Sequence, residues 1–465
     1  MIIPHGIFKA YDIRGIYPTE INEKNLQVII QAIFLQLSKA LKRDNFTIAV
    51  GRDMRLSSPS LFNTAKSTLE RLGASIIDIG LVSTPSFYYS ILKYGYDAGI
   101  QISASHNPKE YTGLKIVKRD GNKIIKIGKT TGMDEVRKNA LDNLTITENK
   151  KGTVSVNHNV LQDEVKDVIN DLGGKVLKKL KVVADPANAM GSLYLEELFK
   201  NIPCELIRMN FKLDGTFPSH QPDPLQFDTL KDLQDKVVSE KADLGIAPDG
   251  DGDRVFFIDE NGEVIPATLI TSLIASETLK NNPKEKIIVD IRYTNNVKKI
   301  CAKYNAPLLI SKVGHALITE QLNKENAAFA GESSGHFYFR ETGGAESSLR
   351  VILMLLKKIS EEGKNVSDIM KQYISSFESG EINFIIDESI NADTVLKTFK
   401  QEFFDGDISQ LDGLAIDYAK WRFSLRTSNT EPLIRLNVEA DSNEILQKNL
   451  NTILQKLDSL GAKRK

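Results

Sequence analysis

The sequence predicts an α/β protein built from three related α/β domains and a smaller α+β domain at the C-terminal end. A chain of 465 residues is longer than the roughly 250–300 residues at which a single hydrophobic core stops growing, so several domains are expected. Short apolar runs that indicate buried strands alternate with segments of helical periodicity, which is typical of parallel β-α-β units. The C-terminal part lacks this alternation, which indicates a different fold.

The α/β prediction rests on a unit of strand, polar turn, helix and strand that recurs three times. Each copy has short apolar runs on either side of an amphipathic stretch. The three copies therefore predict three related domains. Their segments are Thr47–Asp53, Leu61–Leu72 and Ser75–Gly80 in the first copy, Lys181–Ala187, Leu193–Phe199 and Cys204–Asn210 in the second, and Lys286–Arg292, Asn296–Tyr304 and Ala306–Lys312 in the third.

The last part of the chain is predicted to be a smaller α+β module. Its pattern indicates four strands and a closing amphipathic helix. The strands are predicted at Glu381–Ile386, Gly413–Tyr418, Trp421–Leu425 and Leu433–Glu439, and the helix at Ile445–Leu460.

Three boundaries divide the chain into predicted domains at residues 1–152, 153–259, 260–373 and 374–465. The first boundary lies in residues 128–159, which are rich in Asn, Thr and Lys and show little apolar periodicity. The second follows a strand predicted at Val255–Ile258, and the third follows the polar stretch after a helix predicted at Ser348–Ile359.

The composition argues against nucleic-acid and membrane binding. Lys and Arg (60 residues) balance Asp and Glu (61 residues), so no overall positive charge attracts nucleic acid or an anionic lipid surface. Two cysteines, Cys204 and Cys301, are too few for a disulfide framework, and their apolar surroundings suit buried thiols in a reducing compartment. The N-terminal segment lacks a signal-peptide pattern, and the longest apolar run, Val351–Leu356, is too short to span a bilayer. We therefore expect a cytoplasmic protein.

A serine, a histidine and a lysine lie close together in the segment ISASHNPKEYTGLK at residues 102–115. Pro108 disfavours helix at the preceding residue, so the segment is predicted to form a turn that exposes the hydroxyl of Ser105. A serine next to a histidine is common in proteins, and only the whole segment suggests phosphoryl transfer. Ser105 is the candidate phosphate carrier, and either Lys115 or His106 is the candidate general acid and base.

Three aspartates, Asp249, Asp251 and Asp253, alternate with glycines in the segment PDGDGDR. The glycines let the backbone curl, so that the carboxylates can converge on one hard cation such as Mg²⁺. A calcium-binding EF-hand loop is the alternative, because acidic residues also fall at its third, fifth and twelfth positions. Its sixth position requires glycine and is Arg254 here, and a strand follows instead of a helix, so the pattern favours magnesium.

Two further polar loops carry groups suited to a phosphorylated sugar. In GESSGH, the residues Glu332, Ser334 and His336 offer a carboxylate, a hydroxyl and an imidazole between glycines. This set suits sugar hydroxyls, although taken alone the segment is also typical of a routine polar turn. In RTSNTEPLIR, short polar side chains beside an arginine can form a phosphate cradle, although an ordinary Ser/Thr-rich turn has the same composition. The cradle residues are Arg426, Ser428, Asn429 and Thr430.

The four motifs SASHNP, DGDGDR, GESSGH and RTSNTEPLIR occur in an order that resembles the signatures of the α-D-phosphohexomutase superfamily, in its phosphomannomutase/phosphoglucomutase branch. The resemblance extends from the YDIRG segment at Tyr11 to Glu439. It implies three α/β/α domains with mixed sheets and a C-terminal α+β domain around a central cleft, which one loop from each domain lines. It also implies reversible phosphoryl transfer between C1 and C6 of mannose or glucose phosphates, through a phosphoserine at Ser105 and a 1,6-bisphosphate.

The same resemblance assigns cofactors and further roles. One Mg²⁺ per chain would be bound by Ser105 and the three aspartates, and glucose 1,6-bisphosphate would phosphorylate Ser105. The GESSGH loop would contact the sugar O3 and O4 hydroxyls, and the RTSNT loop would bind the non-reacting phosphate. Further site residues implied in this way are Arg14 and Arg254 near the phosphoserine, Arg292 at a phosphate and His315 in the cleft. For Arg14, an ion pair with Asp12 is the alternative.

The identity of the sugar stays open at this point. Ser333 occupies the variable position of the GESSGH loop, and Arg292 stands where the family frequently has lysine. A phosphoglucosamine or phosphopentose mutase with the same mechanism is therefore an alternative, and a non-catalytic phosphosugar-binding protein is another. We expect a monomer or homodimer in which the last domain moves to close the cleft.

Overall fold

The computed structural model describes residues 3–142, 151–173, 178–386, 391–427 and 433–465. The chain divides into two compact units. The first unit comprises Met1–Pro266, Leu322–Asn326 and Ser334–Ile369, and the second comprises Ala267–Gln321, Ala327–Ser333 and Met370–Lys465.

Strands and helices alternate through most of the described chain. The strands are β1 (Ile13–Ile16), β2 (Thr47–Arg52), β3 (Ser75–Leu81), β4 (Ala98–Ile102), β5 (Tyr111–Asp120), β6 (Lys123–Lys126), β7 (Thr153–Val156), β8 (Lys181–Ala184), β9 (Glu205–Arg208), β10 (Leu244–Pro248), β11 (Val255–Ile258), β12 (Val264–Ile265), β13 (Ile287–Asp290), β14 (Leu308–Ser311), β15 (Phe329–Gly331), β16 (Phe337–Phe339), β17 (Phe377–Glu378), β18 (Ile382–Ile385), β19 (Asp407–Ser409), β20 (Leu414–Asp417), β21 (Trp421–Thr427), β22 (Leu433–Ala440) and β23 (Lys463–Arg464). The α-helices are α1 (Glu23–Leu41), α2 (Ser58–Arg71), α3 (Thr84–Lys93), α4 (Met133–Leu141), α5 (Val160–Asp171), α6 (Gly191–Lys200), α7 (Lys231–Glu240), α8 (Ala267–Asn281), α9 (Asn295–Tyr304), α10 (His315–Glu325), α11 (Ser348–Glu362), α12 (Val366–Lys371), α13 (Ala392–Glu402) and α14 (Asn443–Ser459).

The first sheet of the first unit is mixed. Its order is β1-β5-β4-β2-β3-β7, with β6 paired to β5. Strands β2, β3, β4 and β7 run parallel, whereas β5 is antiparallel to both of its neighbours in that order. Isoleucine and valine dominate the buried strands, as expected where helices cover a parallel sheet.

The second sheet of this unit has the order β12-β11-β10-β8-β9. Strands β8, β9 and β10 are parallel, and β10 and β11 form an antiparallel hairpin. Residues 249–254 connect the two strands of this hairpin. A loop at the carboxyl end of a central parallel strand is where α/β sheets usually carry ligands.

The second unit contains a parallel sheet and an antiparallel one. Strand β13 pairs in parallel with β14 and with β15. The C-terminal strands have the order β19-β20-β21-β22-β18-β23, and their pairs are antiparallel. Their apolar face packs on α13 and α14 around Phe399, Phe423 and Leu457. The predicted α/β fold with mixed sheets and a C-terminal α+β part is confirmed.

The predicted repeat units are present, and their helices start one to three residues earlier than predicted. The region 128–159, in which the sequence shows little periodicity, contains α4 and β7. Strand β7 pairs with β3 in the first sheet, although the predicted boundary assigned it to the second domain. Cys301 is buried as expected, whereas Cys204 is only half-buried. The four-domain boundaries stay a prediction.

No helix in the described part of the chain combines the length and apolar character needed to cross a lipid bilayer.

A buried carboxyl group makes the stability of the first unit sensitive to pH. Glu164 on α5 is 3% exposed and lines a cavity of about 240 Å³ together with Lys93, Asp167 and Arg350. One oxygen accepts a hydrogen bond from the Ser86 hydroxyl at 2.5 Å. Burial raises the pKa of Glu164 from 4.5 to about 7, against the opposing effect of this hydrogen bond.

We predict that Glu164→Gln stabilises the protein relative to the wild type above neutral pH but not in acid. The folded state binds the Glu164 proton more tightly than the unfolded state, so wild-type stability falls as the pH rises from about 4.5 to about 7, by roughly 3 kcal/mol. Urea unfolding of both proteins between about pH 5 and pH 8 measures this difference. Glu361→Gln, at an exposed position of α11, is the matched control. A difference between Glu164→Gln and wild type that does not change with pH would contradict the prediction.

Candidate active site

The turn between β4 and β5, residues 103–110, is named the serine loop. Ser105 has a φ of 51°, in the left-handed region, and is 3% exposed. Its Oγ donates a hydrogen bond to Asp249 Oδ2 at 2.9 Å and lies 3.1 Å from His106 Nδ1. The predicted turn is therefore present, but its hydroxyl points into a polar cluster and not into open solvent.

The loop of residues 249–254 between β10 and β11 is named the acidic loop. A Cβ on Gly250 would lie 2.3 Å from the Ser105 carbonyl oxygen, and Gly252 has a φ of +79°. Asp249 Oδ1 accepts hydrogen bonds from the backbone N–H groups of Gly252 at 3.0 Å and Arg254 at 3.2 Å. One carboxylate thus shapes its own loop with one oxygen and holds Ser105 with the other.

The three aspartates converge as predicted. Asp249, Asp251 and Asp253 are buried, and each offers an oxygen within 4.8 Å of the others. Burial and the neighbouring Asp253 and Asp251 carboxylates raise the pKa of Asp249 to about 8. Among the described residues, Asp251 Oδ1 has no hydrogen-bond partner. Converging hard oxygen donors with an unsatisfied buried oxygen fit a divalent cation such as Mg²⁺.

Glu260 is the twelfth residue counted from Asp249, the position at which an EF-hand places a carboxylate ligand. Its contacts therefore distinguish the magnesium pattern from the calcium pattern. An EF-hand would turn this residue towards the ion. Instead, its carboxylate accepts hydrogen bonds from the Ser367 backbone at 3.1 Å and the Ser367 hydroxyl at 2.5 Å. The strand β11 at Val255–Ile258 also agrees with the sequence argument against an EF-hand.

Two cations offset part of the negative charge. Lys115 Nζ lies 2.7 Å from Asp251 Oδ2 and 2.5 Å from Asp253 Oδ2. Burial opposes the charged form of Lys115, but the two carboxylates outweigh it and hold the pKa of Lys115 well above its ordinary value. The Arg254 guanidinium lies 3.8 Å from Asp249 Oδ2 and 3.4 Å from Asp223 Oδ1.

His106 is held as a neutral imidazole. Arg254 Nη2 donates to His106 Nδ1 at 2.7 Å, and because arginine can only donate, this ring nitrogen is an acceptor. Burial, followed by the charges of Arg254 and Arg14, holds the pKa of His106 well below its ordinary value. Ser105 Oγ and Arg254 Nη2 therefore both lie within hydrogen-bonding distance of the same imidazole nitrogen.

Arg14 reaches the serine loop and also makes the ion pair considered as its alternative. Its Nη1 donates to Asn107 Oδ1 at 2.6 Å, and its Nη2 lies 2.5 Å from Asp12 Oδ2. The Arg14 side chain is 18% exposed, so its position next to the loop is partly open to solvent.

Ser334 and His336 contact each other in the first unit. Ser334 Oγ lies 3.0 Å from His336 Nδ1, and His336 Nε2 lies 3.3 Å from Asp253 Oδ1. Glu346 lies close to His336 and Asp253 and is paired with the buried Lys126 at 2.5 Å. These contacts place Ser334 and His336 next to the acidic loop.

In the second unit, Arg292 is held between two carboxylates. Its Nε donates to Asp290 Oδ1 at 2.8 Å and its Nη2 to Glu332 Oε1 at 3.0 Å. Burial opposes the charged form, but Asp290 and Glu332 raise the pKa of Arg292 above its ordinary value. Ser333 donates to Asp290 Oδ2 from its backbone at 2.7 Å and its hydroxyl at 2.9 Å. Asp290 thus fixes both Arg292 and the variable position of the motif.

Three arginines of the second unit surround one carboxylate. Glu381 lies 3.9 Å from Arg292 Nη1, 4.0 Å from Arg426 Nη1 and 3.8 Å from Arg435 Nε. In the described chain, Arg426 Nη1 and Arg435 Nε have no hydrogen-bond partner. Arg426 Nε donates to Asp412 at 3.0 Å. Glu381 and the three arginines around it, Arg292, Arg426 and Arg435, are named the arginine cluster.

The remaining predicted residues are His315 and three residues of the phosphate cradle. His315 is the first residue of α10. Ser428, Asn429 and Thr430 of the predicted phosphate cradle lie outside the described residues.

The sequence argument missed three side chains that organise these clusters. Thr84 donates its hydroxyl to Asp251 Oδ2 at 2.6 Å and its N–H to the Asp251 carbonyl at 2.9 Å. The Ser-Thr-Pro run at residues 83–85 signals only the start of a helix. Asp290 ends a strand, where α/β sheets carry ligands, and this position was a usable signal. No pattern in the sequence around Glu381 indicates that this residue contacts the arginines.

Family models match most of the chain. The models of phosphoglucomutase/phosphomannomutase α/β/α domains I, II and III match residues 5–139, 163–262 and 262–377, and that of the C-terminal domain matches residues 381–455. The chain belongs to the phosphoglucomutase/phosphomannomutase family. The resemblance that the four motifs predicted is confirmed.

Individual relatives match this family member over nearly their full length. A phosphomannomutase from Methanocaldococcus jannaschii is 34% identical over 98% of this chain and 98% of its own. A phosphomannomutase/phosphoglucomutase from Pseudomonas aeruginosa is 32% identical over 96% of this chain and 94% of its own. A solved phosphoglucomutase/phosphomannomutase family protein from Burkholderia thailandensis covers 100% of both chains with a TM-score of 0.89 and 28% identity.

We predict that this family member binds one Mg²⁺ per chain and that Asp251→Asn weakens the binding by a factor of at least about 10, since a charged ligand is lost. Calorimetric titration with Mg²⁺ measures the affinity. Glu260→Gln is the matched control, because Glu260 lies in the same segment but bonds to Ser367. Equal losses in both variants would argue against the aspartate site, and a loss in Glu260→Gln alone would restore the EF-hand interpretation.

Proposed function

We propose that this chain is a hexose phosphate mutase, an isomerase that moves a phosphoryl group between the C1 and C6 hydroxyls of mannose or glucose phosphates. The proposed reaction passes through a phosphoserine at Ser105 and a sugar 1,6-bisphosphate. One observation carries the proposal most directly. A buried serine hydroxyl lies 2.9 Å from one of three converging carboxylates, with Lys115 and Arg254 at the same cluster.

The proposed cycle has two transfers that mirror each other. In the first, the bond between Ser105 Oγ and phosphorus breaks while a sugar hydroxyl oxygen bonds to phosphorus, and the hydroxyl proton passes to a base. In the second, the other phosphate of the bisphosphate returns to Ser105 Oγ, and the sugar oxygen that it leaves takes up a proton. Phosphoryl transfer of this kind depends mainly on positioning and on charge stabilisation.

The charges at the acidic loop suit a phosphorylated serine and a cation together. With all three aspartates ionised, as cation binding requires, their charge exceeds that of Lys115 and Arg254 by one, and a phosphoserine would add about −2. Mg²⁺ bound by Asp249, Asp251, Asp253 and Ser105 would supply Lewis-acid stabilisation of the phosphoryl oxygens. Arg254 and Arg14, which lie beside the serine loop, would donate hydrogen bonds to the phosphate.

Lys115 and His106 differ in what they can do as acid and base. Lys115 is an ammonium group between two carboxylates and can give a proton to a leaving sugar oxygen. His106 is neutral, but its Nδ1 already accepts from Arg254 and can take a proton only if that bond is released. We propose one of these two residues as the acid and base; Lys115 is the one that carries a proton to donate, and His106 is the one with a nitrogen that can accept a proton.

The remaining roles are proposed from the motif residues. Glu332, Ser334 and His336 would bind the sugar hydroxyls. Arg292 and the cradle of Arg426, Ser428, Asn429 and Thr430 would bind the sugar phosphate, and His315 would be a substrate-binding residue. We propose a cytoplasmic monomer or homodimer with one Mg²⁺ per chain and glucose 1,6-bisphosphate as the activator.

A coupled turnover assay with Mg²⁺ and a trace of glucose 1,6-bisphosphate tests the proposal. Activity on glucose 1-phosphate and mannose 1-phosphate is expected. Higher kcat/KM on glucosamine 1-phosphate or on a pentose 1-phosphate would assign the alternative mutase. No turnover of any sugar, with Ser105 shown to be phosphorylated, would favour the binding-protein alternative.

We predict that Ser105→Ala lowers kcat by a factor of at least about 10³, because the variant has no oxygen to carry the phosphoryl group. Mass spectrometry should find a phosphate on Ser105 of the wild type and none in the variant. The control is Ser67→Ala on the exposed side of α2, whose hydroxyl bonds only to the Thr64 carbonyl among the described contacts. Full activity of Ser105→Ala would exclude the phosphoserine mechanism.

We also predict that Glu381→Gln strengthens phosphate binding. The Glu381 carboxylate lies within 4.0 Å of Arg292 and Arg426, the two arginines of this unit proposed to bind the sugar phosphate, so an incoming phosphate must compete with it. Removing this charge should lower KM for the sugar phosphate by a factor of roughly three to ten, the equivalent of about 1 kcal/mol. Inorganic phosphate should also inhibit at lower concentration.

The control for this prediction is Glu444→Gln, an exposed carboxyl group in the first turn of α14 of the same unit. It should leave both quantities unchanged. A higher KM in Glu381→Gln, with a normal KM in the control, would mean that Glu381 holds the arginines in place and does not compete with the ligand.

A further inference from the structure

A buried arginine outside the recognised motifs reaches into the serine loop. Arg55 follows β2 in the segment GRDMR and is fully buried. Its Nη1 donates to the carbonyl oxygens of Pro108 at 2.7 Å and Tyr111 at 3.0 Å. Its Nη2 donates to those of Ser105 at 2.7 Å and Asn107 at 2.6 Å. One guanidinium group therefore binds four carbonyls within seven residues of chain.

We propose that Arg55 is a positioning residue for phosphoryl transfer, which holds the serine loop in the one backbone conformation that directs Ser105 Oγ at the acidic loop. The proposal rests on the phosphoserine function of Ser105.

The guanidinium group is itself fixed, so it can act as a template for the loop. Its Nε lies 3.3 Å from Asp53 Oδ2, and the Arg55 backbone N–H donates to Asp53 Oδ1 at 3.1 Å. The Ser58 hydroxyl donates to the same carboxylate at 2.5 Å. The ring of Phe217 lies against the guanidinium group, 5.1 Å from its carbon. The Asp53 carboxylate and the Phe217 ring thus restrict the position of the guanidinium group.

Ser105 needs such a template because its backbone is in an unfavourable conformation. A φ of 51° costs a residue with a side chain roughly 1–2 kcal/mol, and a loop released from its contacts would leave it. The Ser105 carbonyl has Arg55 on one side and Gly250 packed against it on another, where a Cβ would lie 2.3 Å away. Arg55 therefore acts on the peptide that sets the direction of the Ser105 hydroxyl.

Only a planar group with several donors can make these contacts. Arginine offers five N–H donors in a rigid fork, whereas lysine offers a single nitrogen. Arg55→Lys keeps the charge beside Asp53 but loses the fork, so it separates positioning from charge. A nearby arginine provides the control. The Arg52 side chain on β2 contacts the Phe62 ring and the Asp53 carbonyl, and within the described residues its guanidinium group makes no hydrogen bond to the serine loop.

The first measurement is the kinetics of Arg55→Lys beside wild type and Arg52→Lys. We expect kcat to fall by a factor of about 10² for a misplaced nucleophile, with KM for the sugar phosphate within about threefold of wild type. The rate at which glucose 1,6-bisphosphate phosphorylates Ser105, followed by mass spectrometry, should fall with kcat. Arg52→Lys should match the wild type in all three quantities.

The second measurement reports on the loop without any turnover. Amide hydrogen exchange should become faster in residues 103–111 of Arg55→Lys, while the β2 and β4 amides keep wild-type protection. In Arg55→Ala, added guanidinium ion at millimolar concentration should restore part of the phosphorylation rate.

The outcomes separate this proposal from the function it rests on. If wild-type Ser105 is not phosphorylated, the mutase function fails and the positioning role falls with it, whatever the exchange data show. If the wild type is phosphorylated and Arg55→Lys keeps its rate, the positioning role is wrong while the mutase function stands. If activity is lost only because a fraction of molecules is unfolded, with normal kcat per phosphorylated chain, Arg55 is structural. If neither variant yields folded protein, Arg55 is needed for folding and the positioning role is rejected.

Discussion

The negative charge of the acidic loop is the constraint on which the first unit depends. Three buried carboxylates converge within a loop of six residues, and taking such charges out of water is costly unless each is compensated. Lys115 from β5, Thr84 from the start of α3 and Ser105 from the serine loop all supply hydrogen bonds to these aspartates. The need to compensate the three carboxylates therefore fixes the positions of a strand, a helix end and a turn. The negative charge that these groups leave uncompensated makes the acidic loop suited to a cation.

Backbone packing makes the same arrangement rigid. The acidic loop can approach Ser105 only because Gly250 has no side chain, and Gly252 takes a positive φ that lets the chain turn back into β11. Both loops follow a central strand that runs parallel to its neighbour, β4 in the first sheet and β10 in the second. The carboxyl ends of such strands leave backbone and side chains free to meet a ligand. The fold thus brings loops from two sheets of one unit together with little freedom in either.

The sequence predicts those parts of the site whose conformation depends on neighbouring residues in the chain. Ser105, the three aspartates and the strand at Val255–Ile258 were predictable because each motif carries its own turn and strand signals. Thr84 and Arg55 were not, since their partners lie 167 and 50 positions away along the chain and an arginine or threonine after a strand has no distinctive pattern. The pairing of β7 with β3 was not predicted either. A strand of four residues within a polar region gives only a weak sequence signal. Contacts that depend on tertiary packing lie beyond what periodicity can indicate.

Each arginine proposed to bind a phosphate has a carboxylate neighbour in the protein. Arg14 has Asp12, Arg254 has Asp223, Arg292 has Asp290 and Glu332, and Arg426 has Asp412. Phosphate binding at these groups would therefore replace a carboxylate with a phosphate as the partner of each guanidinium group. The net binding free energy is then smaller than at a guanidinium group that has no partner. For a mutase this is an advantage, because a bisphosphate that must release one end and turn would be trapped by very tight ground-state binding. The carboxylates thus favour turnover over affinity.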